Sequence, residues 1–398
     1  MYRKILTRSI LILSFVSFLT DISSEMLYPI MPIYLKSIGF SVILIGVLEG
    51  LAEATAGLSK GYFGKMSDLS GKRVPFVRAG YMLSAISKPM MGMFIYPVWI
   101  FFARTIDRLG KGIRTSARDA ILSDETTPGH KAKVFGFHRG MDTLGAVLGP
   151  VFALIYLNYY PEQYRMLFFI AFIPAIFGVV FTFILRDKNK TDHRSVSDSE
   201  KKNFFSFLLY WKVSGNEYKK LVAGLFAFTL LNSSDIFLLL MVKNLGFPDD
   251  KVIFVYIFYN LVYALSAFPI GILADKIGFK NNYIIGLILF AIVYGSMALD
   301  PGIGFLFFIF FLYGLYASST EGVSKAWISN ISEKKDTATA LGFYSGLNSI
   351  FSLIASSLAG WLWYTFDAKV MFVFSAVGTV GVIIYFLLNF RKRIYSSV

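Results

Sequence analysis

Four basic residues recur along one stretch of the chain at spacings that place them on the same side of a helix. At roughly 100° per residue, Arg104, Arg108, Lys111 and Arg118 fall within about 80° of one another. Like charges on one helix face repel, so they require acidic partners or a bound anion. Arginine also presents a planar fork of donors that matches a carboxylate or phosphate. We therefore predict that Arg104, Arg108 and Lys111 bind an anionic solute.

Carboxylates recur in the neighbouring apolar segments. Asp21 and Glu25 share a helix face because they are four residues apart, while Glu53 and Asp142 lie in two further apolar stretches. A desolvated carboxylate can change protonation within the working pH range, whereas a neighbouring arginine opposes this change. We predict that Asp21, Glu25, Glu53 or Asp142 carries protons. The alternative is that these carboxylates form only structural ion pairs.

The chain is too apolar for a soluble protein with an oversized core. Of its 398 residues, 56% are hydrophobic and 16% are charged, whereas a soluble domain has about 25% charged residues. Apolar stretches of roughly 20 residues, long enough to cross a bilayer, recur along the sequence. We predict an all-α integral membrane protein of about twelve transmembrane helices. The predicted spans are 9–37, 42–64, 73–95, 97–121, 132–158, 163–186, 219–243, 249–274, 281–299, 302–327, 338–364 and 368–390.

The net charge of +14 reflects membrane topology rather than nucleic-acid binding. Lys and Arg cluster before the first span, in the central loop and in alternate loops, whereas the loops around residues 96–97 and 300–302 carry none. Basic loops normally face the cytoplasm. Both termini are therefore predicted to be cytoplasmic, in the inner membrane of a bacterium, and no nucleic acid is expected as a partner.

Short motifs repeat at an offset of about 207 residues along the chain. The motif Gly-x3-Asp-x2-Gly at 64–71 recurs at 271–278, and the stretch 136–144 resembles 342–350. Two such repeats with a site between them are typical of transporters. The predicted organisation is a six-helix bundle at 1–186, a cytoplasmic linker at 187–217 and a second six-helix bundle at 218–398.

Polar residues elsewhere in the predicted spans supply further candidate ligands. The first half holds most of the ionisable residues, so we expect charge recognition there and amide and aromatic contacts in the second half. These additional substrate ligands are predicted to be Lys88, Arg139, Asn232, Asp235 and Asn348. The sequence has no cysteine, no spaced His and Glu cluster for a metal, and no phosphate-binding loop. We therefore expect a proton gradient, with no cofactor, to drive the protein.

The repeated loop motif predicts a gate. Its glycines permit a tight turn and close helix approach. The Asp68 carboxylate can accept hydrogen bonds from the N-terminus of another helix, or pair with Arg114 or Arg118. An ordinary solvated turn is the alternative. The predicted gating residues are Gly64, Asp68, Gly71, Arg73, Arg118 and Asp275.

Three motifs together resemble those of the major facilitator superfamily. The loop 64–73 resembles its signature glycine-x3-aspartate-arginine-x-glycine-arginine, with Leu69 in place of the first arginine. The stretch 104–112 is similar to its second motif, and Gly145-x3-Gly149-Pro150 to the motif of its antiporter branches. The resemblance covers the whole chain and implies two six-helix bundles with alternating access. It also implies that Gly145, Gly149 and Pro150 seal against proton leak, where plain close packing and bending of the helix is the alternative.

The expected function is proton-coupled transport of a small organic anion by a monomer in the lipid bilayer. The solute is expected to bear carboxylates and to resemble a metabolite or siderophore. A drug/proton antiporter exporting lipophilic compounds is the first alternative, and the 145–150 motif favours it. A membrane-embedded enzyme or receptor is the second, but the sequence has neither a nucleophile–base cluster nor an extramembrane domain.

Overall fold

The structure, a computed structural model, describes residues 6–28, 30–40, 42–187, 204–247, 249–299 and 301–390, without some of the side chains in these ranges, among them that of Glu53. In these ranges the regular secondary structure is helical and contains no strand. The α-helices are α1 Arg8–Leu27, α2 Met31–Ser37, α3 Val42–Ser70, α4 Val74–Met93, α5 Pro97–Asp124, α6 Lys131–Tyr159, α7 Tyr164–Thr182, α8 Tyr210–Val213, α9 Asn216–Thr229, α10 Ile236–Asn244, α11 Asp249–Ile277, α12 Phe279–Met297, α13 Ile303–Ile331, α14 Thr337–Thr365 and α15 Ala368–Asn389. Three short 3-10 helices are Pro128–His130, Phe204–Leu209 and Lys334–Asp336.

Eight helices within the described residues are long and apolar enough to cross a membrane. They are α1, α6, α7 and α11 to α15. The helices α3, α4 and α5 have 29, 20 and 28 residues and pack beside them. Their length also suffices to cross a bilayer, but α5 in particular carries many buried charged residues.

Two predicted spans are divided in the structure, so their prediction as single helices was wrong. The span 9–37 separates into α1 and α2. Position 29, between them in sequence, is a proline, which has no backbone N–H to continue the hydrogen bonds of a helix. The span 219–243 separates into α9 and α10 around residues 230–235. That segment reads Asn-Ser-Ser-Asp at 232–235, and such side chains compete for backbone hydrogen bonds.

The long helices form two groups, α1–α7 and α9–α15, which pack together mainly through α3 against α14 and α6 against α11. Glycines allow these helix pairs to approach closely. A Cβ on Gly64 would lie 2.5 Å from the carbonyl oxygen of Ala338, and one on Gly136 would overlap that of Ala267. Any larger residue at either glycine would push the two halves apart.

One end of the bundle, here named the linker face, holds both described chain ends and the linker flanks 187 and 204–213. Asp187 accepts hydrogen bonds from the backbone N–H groups of Arg73 and Val74 at 2.8 and 2.9 Å, which caps α4. Leu6 packs in the same apolar cluster as Val74. Lys280 at the start of α12 donates to the carbonyl of Phe390. Both ends on one face agree with an even number of spans.

Candidate functional site

A central cavity of about 580 Å³ lies between the two halves. Its first-half wall is charged and its second-half wall is rich in tyrosine. The charged wall comprises Asp21, Glu25, Lys60, Lys111, Arg114, Arg118, Arg139 and Asp142. The facing wall includes Asp235, Tyr256, Tyr259, Tyr263, Tyr313, Tyr316, Glu321 and Lys325. The asymmetry between a charged half and an aromatic half was predicted from the sequence.

A smaller cavity of about 220 Å³ lies within the first half. It shares four residues with the central cavity, so the two spaces adjoin. The shared residues are Asp21, Glu25, Lys111 and Arg114. Of these two cavities, Arg104, Asp107 and Arg108 line the smaller one and not the central one. The basic face of α5 therefore points into the bundle, as its charge requires.

Asp107 neutralises part of this basic face. Lys88 Nζ lies 2.9 Å from Asp107 Oδ1, and Arg104 Nη1 lies 3.6 Å from Asp107 Oδ2. Lys88 is 1% exposed and also donates to Ser24 Oγ at 3.2 Å. Lys88 was a predicted substrate ligand, but the structure places its ammonium behind the cavity wall.

The predicted proton carriers differ in their surroundings. The Asp142 carboxylate lies 4.0 Å from Arg118 Nη1, 3.8 Å from Arg139 Nη1 and 3.7 Å from His138 Nε2. Asp21 and Glu25 line both cavities, and neither forms an ion pair with another described residue. The side chain of Glu53, the fourth predicted carrier, lies outside the described residues.

Two ion pairs join the two halves beside the central cavity. Arg139 Nη2 lies 2.5 Å from Glu321 Oε2, and Arg139 Nε donates to the Tyr263 hydroxyl at 2.7 Å. Lys325 Nζ lies 2.7 Å from Asp119 Oδ2, which is 1% exposed. Arg139, a predicted substrate ligand, is thus already bound to the opposite half.

Asp119 is a functional candidate that the sequence reasoning missed. Its Oδ1 lies 3.0 Å from Arg118 Nη2, so it forms ion pairs with both Arg118 and Lys325. The repeat offset of 207 residues carries Arg118 onto Lys325. Applying that offset to every charged residue in the spans would have paired the two cations and called for a carboxylate beside them.

The broken segment between α9 and α10 brings the predicted amide and acidic ligands of the second half to the cavities. Asn232 and Asp235 line the central cavity, while Asn348 lines a neighbouring space of about 310 Å³ that Asn232 shares. Thr229 Oγ1 donates to Asn348 Oδ1 at 2.7 Å, and the Tyr259 hydroxyl donates to Asp235. Asn232 Oδ1 is buried and has no hydrogen-bond partner in the described chain. An unwound segment of this kind is where transporters place ligand contacts.

The two repeated loop aspartates cap helices in opposite halves. Asp68 Oδ2 accepts from the backbone N–H and the hydroxyl of Thr339 at 2.6 and 2.8 Å, at the start of α14. Asp275 accepts from the backbone N–H groups of Ala132 and Lys133 at 3.0 and 2.9 Å, at the start of α6. The predicted contact with a helix N-terminus is therefore present in both repeats.

The predicted arginine partner of Asp68 was wrong. Arg73 Nη2, not Arg114 or Arg118, lies 3.0 Å from Asp68 Oδ1. Arg73 Nε also lies 3.1 Å from Asp124 Oδ2 at the end of α5. Gly71 has φ +65°, a left-handed turn that brings Arg73 back beside Asp68.

The predicted packing motif of α6 lies against α1. A Cβ on Gly145 would lie 2.6 Å from the carbonyl oxygen of Phe18, and one on Gly149 would lie 2.7 Å from that of Ile22. Pro150 lies inside α6. These contacts fix the helices that carry Asp21 and Asp142.

Known proteins resemble this chain over nearly its whole length. The family profile described as Major Facilitator Superfamily matches residues 13–248 and 220–396. An uncharacterized MFS-type transporter of Methanocaldococcus jannaschii is 33% identical over 390 residues, which is 96% of this chain and 95% of the relative. Multidrug resistance protein 2 of Bacillus subtilis is 23% identical over 92% of this chain and 90% of its own.

Solved structures share the fold. The human organic anion transporter TETRAN matches with a TM-score of 0.81 at 16% identity, covering 95% of this chain and 99% of its own. The transporter FucP in its outward conformation matches with a TM-score of 0.78 at 10% identity, covering 98% of this chain and 100% of its own. The chain is an integral membrane transporter, not an enzyme, and it belongs to the Major Facilitator Superfamily.

Proposed function

We propose that the protein is a proton-coupled secondary transporter of a small organic anion. The observation that carries this proposal is the charged wall of the central cavity, where Lys111 and Arg114 adjoin Asp21 and Glu25. Basic residues facing a cavity attract an anion, and carboxylates without an ion pair can exchange protons. A proton gradient would then supply the driving force without a cofactor.

Closure at the linker face supports a mechanism of alternating access. The two aspartate caps and the glycine contacts join the halves on that face. Solute would reach the cavity from the opposite face, and separation of the caps would release it at the linker face. We place the linker face in the cytoplasm. The proposed domains are a six-helix bundle at 1–186, a cytoplasmic linker at 187–217 and a second six-helix bundle at 218–398. The proposed transport unit is a monomer.

The test is a thermal-shift screen of purified protein against permanently charged aromatic ions of similar size. Benzenesulfonate and benzyltrimethylammonium form a matched pair, because neither changes charge with pH. A bound ligand raises the apparent stability by mass action. The proposal expects a rise in Tm with benzenesulfonate and none with benzyltrimethylammonium; the reverse pattern contradicts it.

A second candidate is a drug/proton antiporter that exports lipophilic cations. The tyrosine wall of the cavity favours it, since aromatic faces attract organic cations, and Asp235 lies on that wall. The similarity to Multidrug resistance protein 2 points the same way. A stabilising shift with benzyltrimethylammonium alone would favour this candidate.

A further inference from the structure

Arg114 lies where the smaller cavity meets the central cavity, and none of the described carboxylates forms an ion pair with it. The residue is 5% exposed. Its Nη1 donates to Ser84 Oγ at 2.5 Å, its guanidinium lies 4.5 Å from the centre of the Tyr81 ring, and its buried Nε has no hydrogen-bond partner in the described chain. A buried charge without a partner is costly. A bound anion would supply the missing partner.

Packing between α4 and α5 holds Arg114 in place. A Cβ on Gly80 would lie 2.6 Å from Arg114 Cβ, and one on Gly110 would lie 2.6 Å from the Gly80 carbonyl oxygen. Ser84 Oγ, which accepts from Arg114, donates in turn to the carbonyl of Asp107 at 3.2 Å. The guanidinium is therefore oriented by neutral groups, and its charge remains available to a ligand.

We propose that Arg114 binds the negative group of an aromatic oxyanion, a carboxylate or sulfonate, and that Asp21 takes up the proton transported with it. This inference rests on the proposed function and adds the anion-binding residue, the substrate class and the sense of coupling. The spacing along α5 had predicted Arg104, Arg108 and Lys111 as the anion ligands instead. Arg104 already shares Asp107 with Lys88.

The sense of coupling follows from the charges around Asp21. Glu25 lies on the same helix, Lys111 and Arg114 lie on α5, and Asp142 lies on α6. α7 also packs on α1, and its ionisable residues are confined to its first turn at 164–165. Lys88 on α4 reaches Ser24 of α1, but its ammonium is paired with Asp107. An ionised Asp21 offsets part of the positive charge of Arg114 beside it and repels an incoming anion.

Protonation of Asp21 removes one negative charge beside Arg114 and the cavity, and a bound monoanion replaces it. Proton and anion therefore favour each other's binding, as ligands coupled through one site must do reciprocally. Cooperative binding moves both in the same direction, which is symport. A cationic solute would instead compete with the proton and give antiport.

The tyrosine-rich wall opposite Arg114 is the reason for proposing an aromatic substrate. The rings of Tyr256 and Tyr259 meet edge to face at 5.5 Å, and those of Tyr259 and Tyr313 at 5.1 Å. Such rings accept a further flat ring in stacked or edge-to-face contact. A single-ring solute within a cavity of about 580 Å³ would reach this wall while its negative group faces Arg114.

The experiment is isothermal titration of the purified full chain with benzenesulfonate, in buffers of different ionisation enthalpy, across the neutral pH range. Because the ligand carries no titratable group there, protons taken up on binding enter the protein. Wild type is expected to bind with an uptake approaching about one proton per ligand. Asp21→Asn, which imitates the protonated carboxylate, is expected to retain binding and to lose the proton uptake.

Arg114→Gln is expected to weaken benzenesulfonate binding by about tenfold or more. Arg114→Lys is a second variant, in case Arg114→Gln does not fold. It keeps the positive charge but not the planar fork of donors, so it should weaken benzenesulfonate binding less than Arg114→Gln does. Arg78→Gln is the matched control. Arg78 also lies over an aromatic ring, that of Phe183 at 5.1 Å, and donates to backbone carbonyls, but it lines neither cavity. Its variant should bind as wild type does.

Wild-type affinity in both Arg114 variants, or wild-type proton uptake in Asp21→Asn, overturns this inference and leaves the proposed function standing. No binding of benzenesulfonate by wild type overturns the aromatic-oxyanion class. Binding of benzyltrimethylammonium in its place defeats the proposed function itself.

Discussion

Asp21 and Asp142 face the same cavity in different electrostatic surroundings. Asp142 lies within 4.0 Å of both Arg118 and Arg139, whereas Asp21 has no ion pair in the described chain. Protonating Asp142 would leave buried arginines uncompensated, which is costly. This difference favours Asp21 over Asp142 as the proton carrier, and the sequence could not separate them because spacing alone does not show which cations reach a carboxylate.

Substitution of these two aspartates is expected to have opposite effects. Asp21→Asn should preserve exchange of benzenesulfonate between liposome compartments of equal pH but abolish its response to a pH gradient. Asp142→Asn should slow exchange under both conditions and lower the Tm, because it breaks a buried ion network. A wild-type response to the gradient in Asp21→Asn would rule out its role.

Asp119 is buried between Arg118 and Lys325, so its charge should matter chiefly for stability and closure. Asp119→Asn leaves Lys325 without its carboxylate and Arg118 with only the more distant Asp142, with an expected loss of about 3 kcal/mol seen as a fall in Tm. The double variant Asp119→Asn with Lys325→Gln should lose less than the sum of the two single changes. Strictly additive losses would mean that the two side chains do not interact.

The crossed caps at the starts of α6 and α14 are the element-scale contacts that hold the linker face closed. Each loop aspartate accepts from a helix in the other half, where the partial positive charge of the N-terminus strengthens the bond. The repeat motif predicted this use of Asp68 and Asp275. It did not predict which helix each would cap, because that depends on how the halves dock.

Removing either cap is expected to shift the conformational equilibrium towards an open linker face. Because the chain has no cysteine, spin labels can be placed at Lys72→Cys and Lys335→Cys alone, and the distance between them measured by double electron–electron resonance. Asp68→Asn and Asp275→Asn should each increase the population at longer distance.

Asp187→Asn is the matched control for this measurement. Asp187 also caps a helix, α4, but within its own half. Its loss should lower the Tm by an amount similar to the other two, since each cap contributes about 1 kcal/mol, without changing the label distance. Equal changes in label distance in all three variants would show that the caps between the halves do not control opening of the linker face any more than a cap within one half does.

Breaks within a span were harder to predict than the ends of the spans. Apolar length identified most spans to within a few residues, for example α6 at Lys131–Tyr159 against the predicted 132–158. It failed where a span breaks, at the segment 230–235, because hydropathy does not report whether polar side chains replace backbone hydrogen bonds. That break is where Asn232 and Asp235 reach the cavity.

At the scale of the whole molecule, the internal repeat predicted the two-half architecture and the matching gate loops. The position of charge in alternate loops predicted that both ends share a face. The relation between the halves came only from the structure. Glycine contacts such as Gly64 with Ala338 depend on residues far apart in sequence, which a single chain does not reveal.

The linker face is expected to lie on the cytoplasmic side of the membrane. Single cysteines at Lys72 and Ser197 should react with a membrane-impermeant maleimide only after cells are permeabilised. A cysteine at Tyr96, which is 69% exposed in the loop between α4 and α5, should react in intact cells. The opposite pattern would invert the proposed orientation.

Vectorial transport in proteoliposomes tests proton-coupled anion transport most directly. The measurement is the accumulation of labelled benzenesulfonate, and separately of benzyltrimethylammonium, under an imposed pH gradient with the membrane potential clamped. We expect benzenesulfonate to move with protons from the acidic to the alkaline compartment, and collapse of the gradient to abolish its accumulation. Accumulation of benzyltrimethylammonium in the acidic compartment, with benzenesulfonate unaffected by the gradient, would rule out proton-coupled anion transport and establish exchange of a cation for protons.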